Sequence, residues 1–464
     1  MLRSTVNKSA NGKQKALFER TAIPKAVAIL SVPTVISQLI TVIYNLADTY
    51  FVGEMNDPYQ LSAINVCLPL MLMFTALANL FGIGGSGALS RALGRGDTDT
   101  ARRISSFAVY GGIAVSLAYS AIVLAFSEPI LYAMGADGYT FSYAYDYMIY
   151  VIVIGGVFTA MNPLLAHLVR SEGRSLASGF GMSLGAVINI ILDPIMITSL
   201  GLGIVGAAVA TLIGNACACL FFVACIISSR KRTVISLVPM KISLKAAVDV
   251  LLTGLPNFFL SMLSSVSNTA TNNLIVAYDT VALAGVGIAK KINLTAFAVT
   301  QGISQGVLPL IGYNYAQGNK KRMNGAIIFA GAVTGVISLV LMTVALTASG
   351  SVVSLFIKDA STVEYGSNFL RIICLAMPTS AFIFLSITYF QATGRKTFPL
   401  ILSFLRKGTL DIIFMLTLNS AFGMYGVLWA TPAAEVTASV VTAVMLVSVI
   451  LSNCHLRRLV PETN

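Results

Sequence analysis

Long apolar segments separated by short polar breaks run through nearly the whole sequence. Each segment holds about 20 to 30 residues, enough for an α-helix rising 1.5 Å per residue to cross a bilayer. None alternates apolar and polar residues as a half-buried strand would. The pattern therefore predicts twelve transmembrane helices, near residues 24–52, 60–90, 104–127, 144–169, 178–200, 203–228, 247–276, 281–312, 325–348, 367–391, 398–420 and 424–452.

Composition points to the same class of protein. Hydrophobic residues make up 56% of the 464 residues and charged residues 10%, whereas a soluble domain carries about 25% charged residues. A lipid-spanning β-barrel is excluded, because its strands would appear as short alternating segments. The predicted fold class is an all-α membrane protein with twelve transmembrane helices.

Positive charges divide the connecting loops into two alternating sets. The first, third, fifth, seventh and eleventh connections hold no Lys or Arg, whereas the second contains Arg91, Arg95, Arg102 and Arg103 and the sixth contains Arg230, Lys231, Arg232, Lys241 and Lys245. Because basic loops stay in the cytoplasm, both termini are expected there, with the chain multi-pass in a plasma membrane, the inner membrane of a bacterium. The net charge of +12 then describes loops beside an anionic leaflet and predicts no nucleic-acid partner.

The second half of the sequence repeats the first at a nearly constant spacing. Pro33 matches Pro256 at 223 residues, Gly84 and Gly96 match Gly306 and Gly318 at 222, Gly173 matches Gly394 at 221, and Gly203 matches Gly423 at 220. Six spans per repeat place both halves in the same orientation, as two six-helix bundles related by a pseudo-two-fold axis along the membrane normal. The predicted division is an N-lobe at 1–235 and a C-lobe at 236–464, an architecture suited to alternating access.

Two carboxylates of the N-lobe fall inside the predicted spans, where charged side chains are costly and usually functional. Counted from the nearer helix end, Asp48 lies about 7 Å deep, Asp193 about 10 Å and Thr211 about 12 Å. Asn189 lies one turn from Asp193 on the same face. A carboxylate removed from water can exchange a proton near neutral pH, and the same oxygens can ligate sodium. These four residues are the candidate coupling-cation site, with proton and sodium both open.

The C-lobe carries buried charges of both signs. Lys290, Lys291, Asp411 and Glu435 lie at similar predicted depths, which suggests an internal ion-pair network or a substrate pathway. Pro33 and its repeat partner Pro256 are expected to kink the first and seventh helices, since proline removes a backbone donor.

Other motifs carry little weight. Gly201, Gly203 and Gly206 spell G-x-G-x-x-G, but no strand precedes them, so close helix packing explains them better than a dinucleotide site. No nucleophile–base pair and no metal-ligand spacing is visible. Neither an enzyme nor a cofactor is expected, and no metal apart from sodium at Asp48 and Asp193.

The sequence resembles the multidrug and toxic compound extrusion (MATE) family over nearly its whole length. The resemblance is carried by Pro33, Asn45, Asp48, Phe51, Val52 and Gly53, by Arg91 and Gly96, by the R-x-E-G stretch from Arg170 to Gly173, and by Asn189-x-x-x-Asp193-Pro194. The most similar subgroup is bacterial and has its coupling carboxylates in the N-lobe.

This resemblance implies a V-shaped pair of six-helix bundles that exports bulky, often cationic drugs or dyes against an inflow of protons or sodium. It also implies that Asp48, Asn189, Asp193 and Thr211 bind the cation and that Tyr147 assists. The paired Lys290 and Lys291 depart from the family pattern. The protein is expected to be a monomer in the bilayer.

Alternatives to this antiporter differ in what they would require. A flippase for a lipid-linked precursor remains the second hypothesis within transport, and a strongly cationic central cavity would favour it. A channel would need polar rings continuous across the bilayer, which twelve unlike helices do not offer. Saturable flux that requires an ion gradient separates a carrier from a channel.

Overall fold

The computed structural model describes residues 15–53, 58–357 and 359–459, which are helical almost throughout and contain no strand. The helices are α1 (Ile23–Gly53), α2 (Pro58–Gly94), α3 (Thr98–Ala125), α4 (Ser127–Ala133), α5 (Phe141–Met148), α6 (Gly156–Ser171), α7 (Ser175–Pro194), α8 (Gly203–Ser228), α9 (Leu244–Val276), α10 (Thr280–Ala316), α11 (Lys320–Thr347), α12 (Ser349–Ser354), α13 (Ala360–Ile373), α14 (Met377–Ala392), α15 (Thr397–Ser403) and α16 (Asp411–Leu459). Three π-helical segments, Ile149–Ile154, Ile195–Ser199 and Phe404–Leu410, extend α5, α7 and α15, and a 3₁₀ turn, Cys374–Ala376, joins α13 to α14.

Twelve spans follow from these helices. Ten described helical stretches are long and apolar enough to cross a membrane, and Phe141–Ile154 with Gly156–Ser171 forms one further span bent by 47°. The last of the ten, Thr397–Val449, is 53 residues long and is interrupted at Gly423, whose φ of 59° and ψ of −141° are not helical. It therefore comprises two spans. The predicted all-α membrane fold with twelve spans is confirmed.

The internal repeat recurs in the backbone conformation. Gly96, Gly173 and Gly203 have φ of 76°, 80° and 55°, and their repeat partners Gly318, Gly394 and Gly423 have φ of 83°, 72° and 59°. Side chains other than glycine rarely adopt positive φ, so each of these turns requires glycine. The same three turns are therefore built twice, at the spacing that the sequence predicts.

The two kink prolines lie inside continuous helices. Pro33 is within α1 and Pro256 is within α9. A kink at either residue stays a prediction. Pro194 behaves differently: it is the last residue of α7, and the chain beyond it winds as the π-helical segment Ile195–Ser199.

Contacts group the chain into two compact units. Unit 1 comprises 1–265, 301–330 and 391–394, and unit 2 comprises 266–300, 331–390 and 395–464. Unit 1 is built around buried clusters that include Phe74, Met148, Leu164 and Phe222, and unit 2 around a cluster that includes Phe369. The division into lobes at 235/236 stays a prediction, because grouping by contact follows which helices pack together rather than which repeat they belong to.

Two helix crossings within unit 1 bring backbones into direct contact. A Cβ at Gly254 of α9 would lie 2.6 Å from the carbonyl carbon of Leu80 of α2. At the repeat-related crossing, a Cβ at Gly306 of α10 would lie 2.6 Å from Cα of Ser31 of α1. Glycine is therefore required for both approaches. Both crossings lie towards the basic side, meaning the side of the bundle whose loops contain residues 91–103, 170–174, 229–246 and 318–322.

Candidate functional site

Asp193 is a carboxylate with no exposure to solvent, located at the end of a membrane-spanning helix. Its exposed fraction is 0%, and it is followed by Pro194, the last residue of α7. Because proline has no N–H and cannot continue the hydrogen-bond pattern, the helix changes geometry at this point. π-helical segments of this kind often mark functional sites.

Asn189 and Thr211 complete a polar contact around Asp193. Asn189 is 2% exposed and lies one turn before Asp193 on α7, while Thr211 is 3% exposed on α8. When the Asn189 amide nitrogen faces Asp193, it donates to Oδ2 at 2.8 Å, and the amide oxygen accepts from Thr211 Oγ1 at 3.2 Å and from the Thr211 backbone N at 3.0 Å. This orientation satisfies both ends of the amide. The three residues thus form one continuous buried chain.

Asp48 of α1 reaches the same region. It interacts electrostatically with Asp193, and its Oδ1 is buried without a hydrogen-bond partner. Tyr147 of α5 is 2% exposed, lies within electrostatic reach of Asp48 and Asp193, and places its hydroxyl 3.6 Å from Met71 Sδ. The structure therefore brings together all five residues proposed for the N-lobe site.

Tyr44 is a member of this cluster that the sequence analysis missed. It shares a hydrogen bond with the Thr211 side chain and lies within electrostatic reach of Asp48 and Asp193. Its position one turn before Asp48 on α1 was the available signal, because residues four apart share a helix face. An aromatic residue in an apolar span nevertheless resembles an ordinary core residue.

This arrangement can hold one small cation. Two carboxylates near each other in a site poor in water repel, and removing each from water costs several kcal/mol. A proton on one acid, or a sodium ion ligated by carboxylate, amide and hydroxyl oxygens, relieves that cost. The unpartnered oxygen of Asp48 and the satisfied amide of Asn189 fit this donor set.

The charged residues of the second half form a different arrangement, inside unit 2. Glu435 Oε1 accepts from Arg406 Nε at 2.5 Å, and both side chains are 2% exposed. Asp411 accepts from Lys407 Nζ at 3.2 Å and from Ser267 Oγ at 2.5 Å.

The two lysines of α10 do not supply these ion pairs. Lys290 donates to Asn272 Oδ1 at 3.3 Å and lies within electrostatic reach of Lys407 and Asp411, and Lys291 is half-buried next to it in sequence. The two acids are paired instead by Arg406 and Lys407, in the π-helical segment Phe404–Leu410.

Arg91 anchors a polar cluster on the basic side of unit 1. It is 6% exposed, and its Nη1 donates to the backbone oxygen of Gln391 at 2.7 Å. Its Nη2 donates to Asp249 Oδ2 at 2.9 Å and to Thr253 Oγ1 at 3.3 Å. Sequence analysis treated Arg91 only as a loop charge. Its contacts join the first half of the sequence to the second.

A second basic-side network lies deeper in the same unit. Arg170 is 1% exposed and donates to Gln305 Oε1 at 3.1 Å, beside His167 Nδ1 at 3.3 Å. Gln38 donates to the side-chain oxygens of Gln301 and Gln305, each at 3.3 Å. Side chains of α1, α6 and α10 are therefore connected by polar contacts next to the α1–α10 crossing.

Comparisons with known proteins agree with this fold. The MatE family pattern matches residues 33–195 and again residues 256–417, at the spacing of the internal repeat. The chain is 34% identical over 428 residues to the multidrug export protein MepA of Staphylococcus haemolyticus, covering 91% of this chain and 93% of that protein. It is 32% identical over 423 residues to MepA of Staphylococcus aureus, with the same coverage.

Solved structures show the same fold. An outward-facing multidrug resistance MATE transporter of the MOP superfamily superposes with a TM-score of 0.88 at 24% identity, covering 95% of this chain and 99% of that chain. A MATE crystal structure in complex with MaL6 gives 0.88 at 25% identity, with the same coverage. The chain therefore belongs to the MatE, or multidrug and toxic compound extrusion, family of membrane transporters.

Proposed function

We propose that the protein is a cation-coupled antiporter that exports bulky organic compounds, often cationic, by alternating access. The observation that carries the proposal is Asp193, a fully buried carboxylate in a membrane span, held by Asn189 and within electrostatic reach of Asp48. A buried acid of this kind binds a proton or sodium ion when it is loaded and repels its neighbour when it is empty. The relatives named multidrug export proteins support drugs and dyes as substrates.

Loading of the acids can change helix packing within unit 1. Asp48 lies on α1 and Asp193 on α7, and these two helices pack along each other. Near their other ends the contact is close, because a Cβ at Gly179 of α7 would lie 2.5 Å from the carbonyl oxygen of Pro33. Repulsion between empty acids would favour moving one helix end against the other. A bound cation shifts the equilibrium only by its difference in affinity between the two states.

The basic side supplies the contacts that alternating access must break. Arg91 with Asp249, and the crossings at Gly254 and Gly306, join the two sequence halves there. We assign this side to the cytoplasm, because basic loops are retained there. In the opposite state of the cycle these contacts separate and admit substrate from the cytoplasm. The location is the plasma membrane, with both termini cytoplasmic, and the protein acts as a monomer without cofactor, catalysis or nucleic acid.

The test is dye efflux from proteoliposomes under proton and sodium gradients imposed separately. Wild-type protein should respond to one gradient, and this identifies the ion. Because Asn cannot carry the exchanged charge, Asp193→Asn should lower coupled efflux by about tenfold or more. The matched control is Asp146→Asn, an exposed acid on α5. Undiminished pumping by Asp193→Asn, at equal protein content, contradicts the proposal.

A further inference from the structure

A polar cavity lies inside unit 2, apart from the candidate cation site of unit 1. Its volume is about 80 Å³, and its walls come from α10, α11, the turn between α13 and α14, α14, the segment Phe404–Leu410 and α16. A water molecule needs roughly 10–15 Å³ on this scale, so the cavity holds about five waters or a small polar group.

The floor of the cavity is an ion pair with two unsatisfied atoms. Arg406 and Glu435 line it, each 2% exposed, and they contact each other through Nε and Oε1 at 2.5 Å. The Arg406 guanidinium carbon also lies 4.4 Å from the ring centroid of Phe384, which fixes the plane of the group. Arg406 Nη1 and Glu435 Oε2 are buried and have no hydrogen-bond partner. Leaving such atoms unsatisfied costs about 1–3 kcal/mol each, and more when the group is charged.

The entrance of the cavity differs from its floor. Asn293, Ser380 and Lys407 also line it and are only half-buried. The charge of Lys407 is balanced by Asp411, to which it donates at 3.2 Å. The exposed fraction thus falls from the entrance to the floor, as in a pocket that a group enters from one end.

The balance of charge selects what this pocket can bind. Arg406 with Glu435 and Lys407 with Asp411 form two neutral pairs. A net cation or a net anion would therefore be attracted to one member of each pair and repelled by the other. An uncharged group with an acceptor beside a donor satisfies both open atoms at once.

We propose that the pocket binds an uncharged donor–acceptor group of the transported compound, typified by a primary carboxamide. The carbonyl oxygen accepts from Arg406 Nη1, and the amide N–H donates to Glu435 Oε2. The inference rests on the proposed export function and adds a selectivity for one polar group to it. Water alone is the competing occupant.

The experiment compares two triphenylphosphonium cations that differ by one group, a terminal primary carboxamide or the isosteric methyl ketone. The ketone accepts a hydrogen bond but cannot donate one. Efflux of each from proteoliposomes gives a KM, and calorimetric titration of detergent-solubilised protein gives a Kd without any gradient. Because the ketone leaves the Glu435 oxygen unsatisfied, wild-type protein should prefer the carboxamide by about tenfold in both constants.

Variants locate the source of this preference. Removing one charge would leave the other buried and unpaired, so the pair is replaced together, by Arg406→Met with Glu435→Leu, a change that buried pairs often tolerate. Ser380→Leu fills the pocket and leaves the charges in place. Both should reduce the ketone-to-carboxamide ratio to about one. Ser439→Leu, on the exposed surface one turn beyond Glu435, is the control and keeps the preference.

Each result has a definite reading. A wild-type ratio near one means that only water occupies the pocket, and a ratio that survives both variants means that the carboxamide is recognised elsewhere. Either result overturns the proposal. If neither cation is transported under any gradient, the proposed function fails, and the Kd ratio still decides the pocket.

Discussion

The crossing at Gly254 gives the sharpest test of how unit 1 is closed on its basic side. A Cβ at this position would lie 2.6 Å from the carbonyl carbon and 2.8 Å from Cα of Leu80, and closer still to its carbonyl oxygen. Both sides of the contact are backbone, so no side chain can rotate away. In Gly254→Ala, α2 and α9 must separate by at least about 0.8 Å to reach an ordinary contact distance.

The energetic cost follows from a matched pair of variants. Forcing an extra methyl group into a packed contact costs about 1–3 kcal/mol. Replacing glycine by alanine inside a helix also gains about 0.8–1 kcal/mol. Gly335→Ala on α11 receives that gain alone, because nothing lies within 4 Å of the added Cβ. The difference between the two variants therefore isolates the crossing, and should be about 1–3 kcal/mol.

Two measurements check this expectation. Thermal unfolding in detergent should place Gly254→Ala below Gly335→Ala. In a background without native cysteines, a Cys at the buried Ser86 of α2 should react with an impermeant maleimide at least about fivefold faster in Gly254→Ala, since a shift of 1 kcal/mol changes a population ratio about fivefold. Equal melting and equal labelling of the two variants would refute the reasoning that this crossing closes the basic side.

Two further substitutions test the polar contacts. Asp249→Asn removes the carboxylate that Arg91 contacts at 2.9 Å, and because Asp249 is 31% exposed the loss should be about 1 kcal/mol, read from thermal unfolding. Asp99→Asn, in a pair exposed on both sides, should cost less than about 0.5 kcal/mol, and equal losses would contradict the distinction. Tyr44→Phe removes the hydroxyl that bonds Thr211 and should slow coupled dye efflux by about two- to tenfold while leaving melting nearly unchanged; wild-type efflux would exclude Tyr44 from the site.

The spans were predictable because one physical signal dominates them. Apolar length and loop charge place helices wherever a bilayer is crossed, and the predicted 203–228 coincides with α8. The second predicted span, 60–90, is shorter than α2, which extends to Gly94. Its last turn carries Arg91, a residue that a hydropathy pattern assigns to water but that the fold buries against Gln391 and Asp249.

The partners of buried charges were not predictable in the same way. Depth along a helix places Glu435 and Lys290 at one level, but depth does not specify which helix faces another. Arg406 reaches Glu435 from a π-helical segment, whose extra residue per turn changes the face that each side chain occupies. Tyr44 escaped notice for a related reason: its role depends on the contact with Thr211, 167 residues further along the chain.

The repeat itself explains why one half suits coupling and the other suits recognition. At the spacing that relates the halves, Asp48 corresponds to Thr271, whose hydroxyl bonds the backbone of Ser267, and Asp193 corresponds to an apolar position at 413 or 414. In the reverse direction, Glu435 corresponds to Asn215. The backbone turns are kept in both halves, whereas the charges are not. Acids without basic partners in the first half can load and release a cation, and acids already neutralised by Arg406 and Lys407 in the second half cannot do so without exposing a buried positive charge.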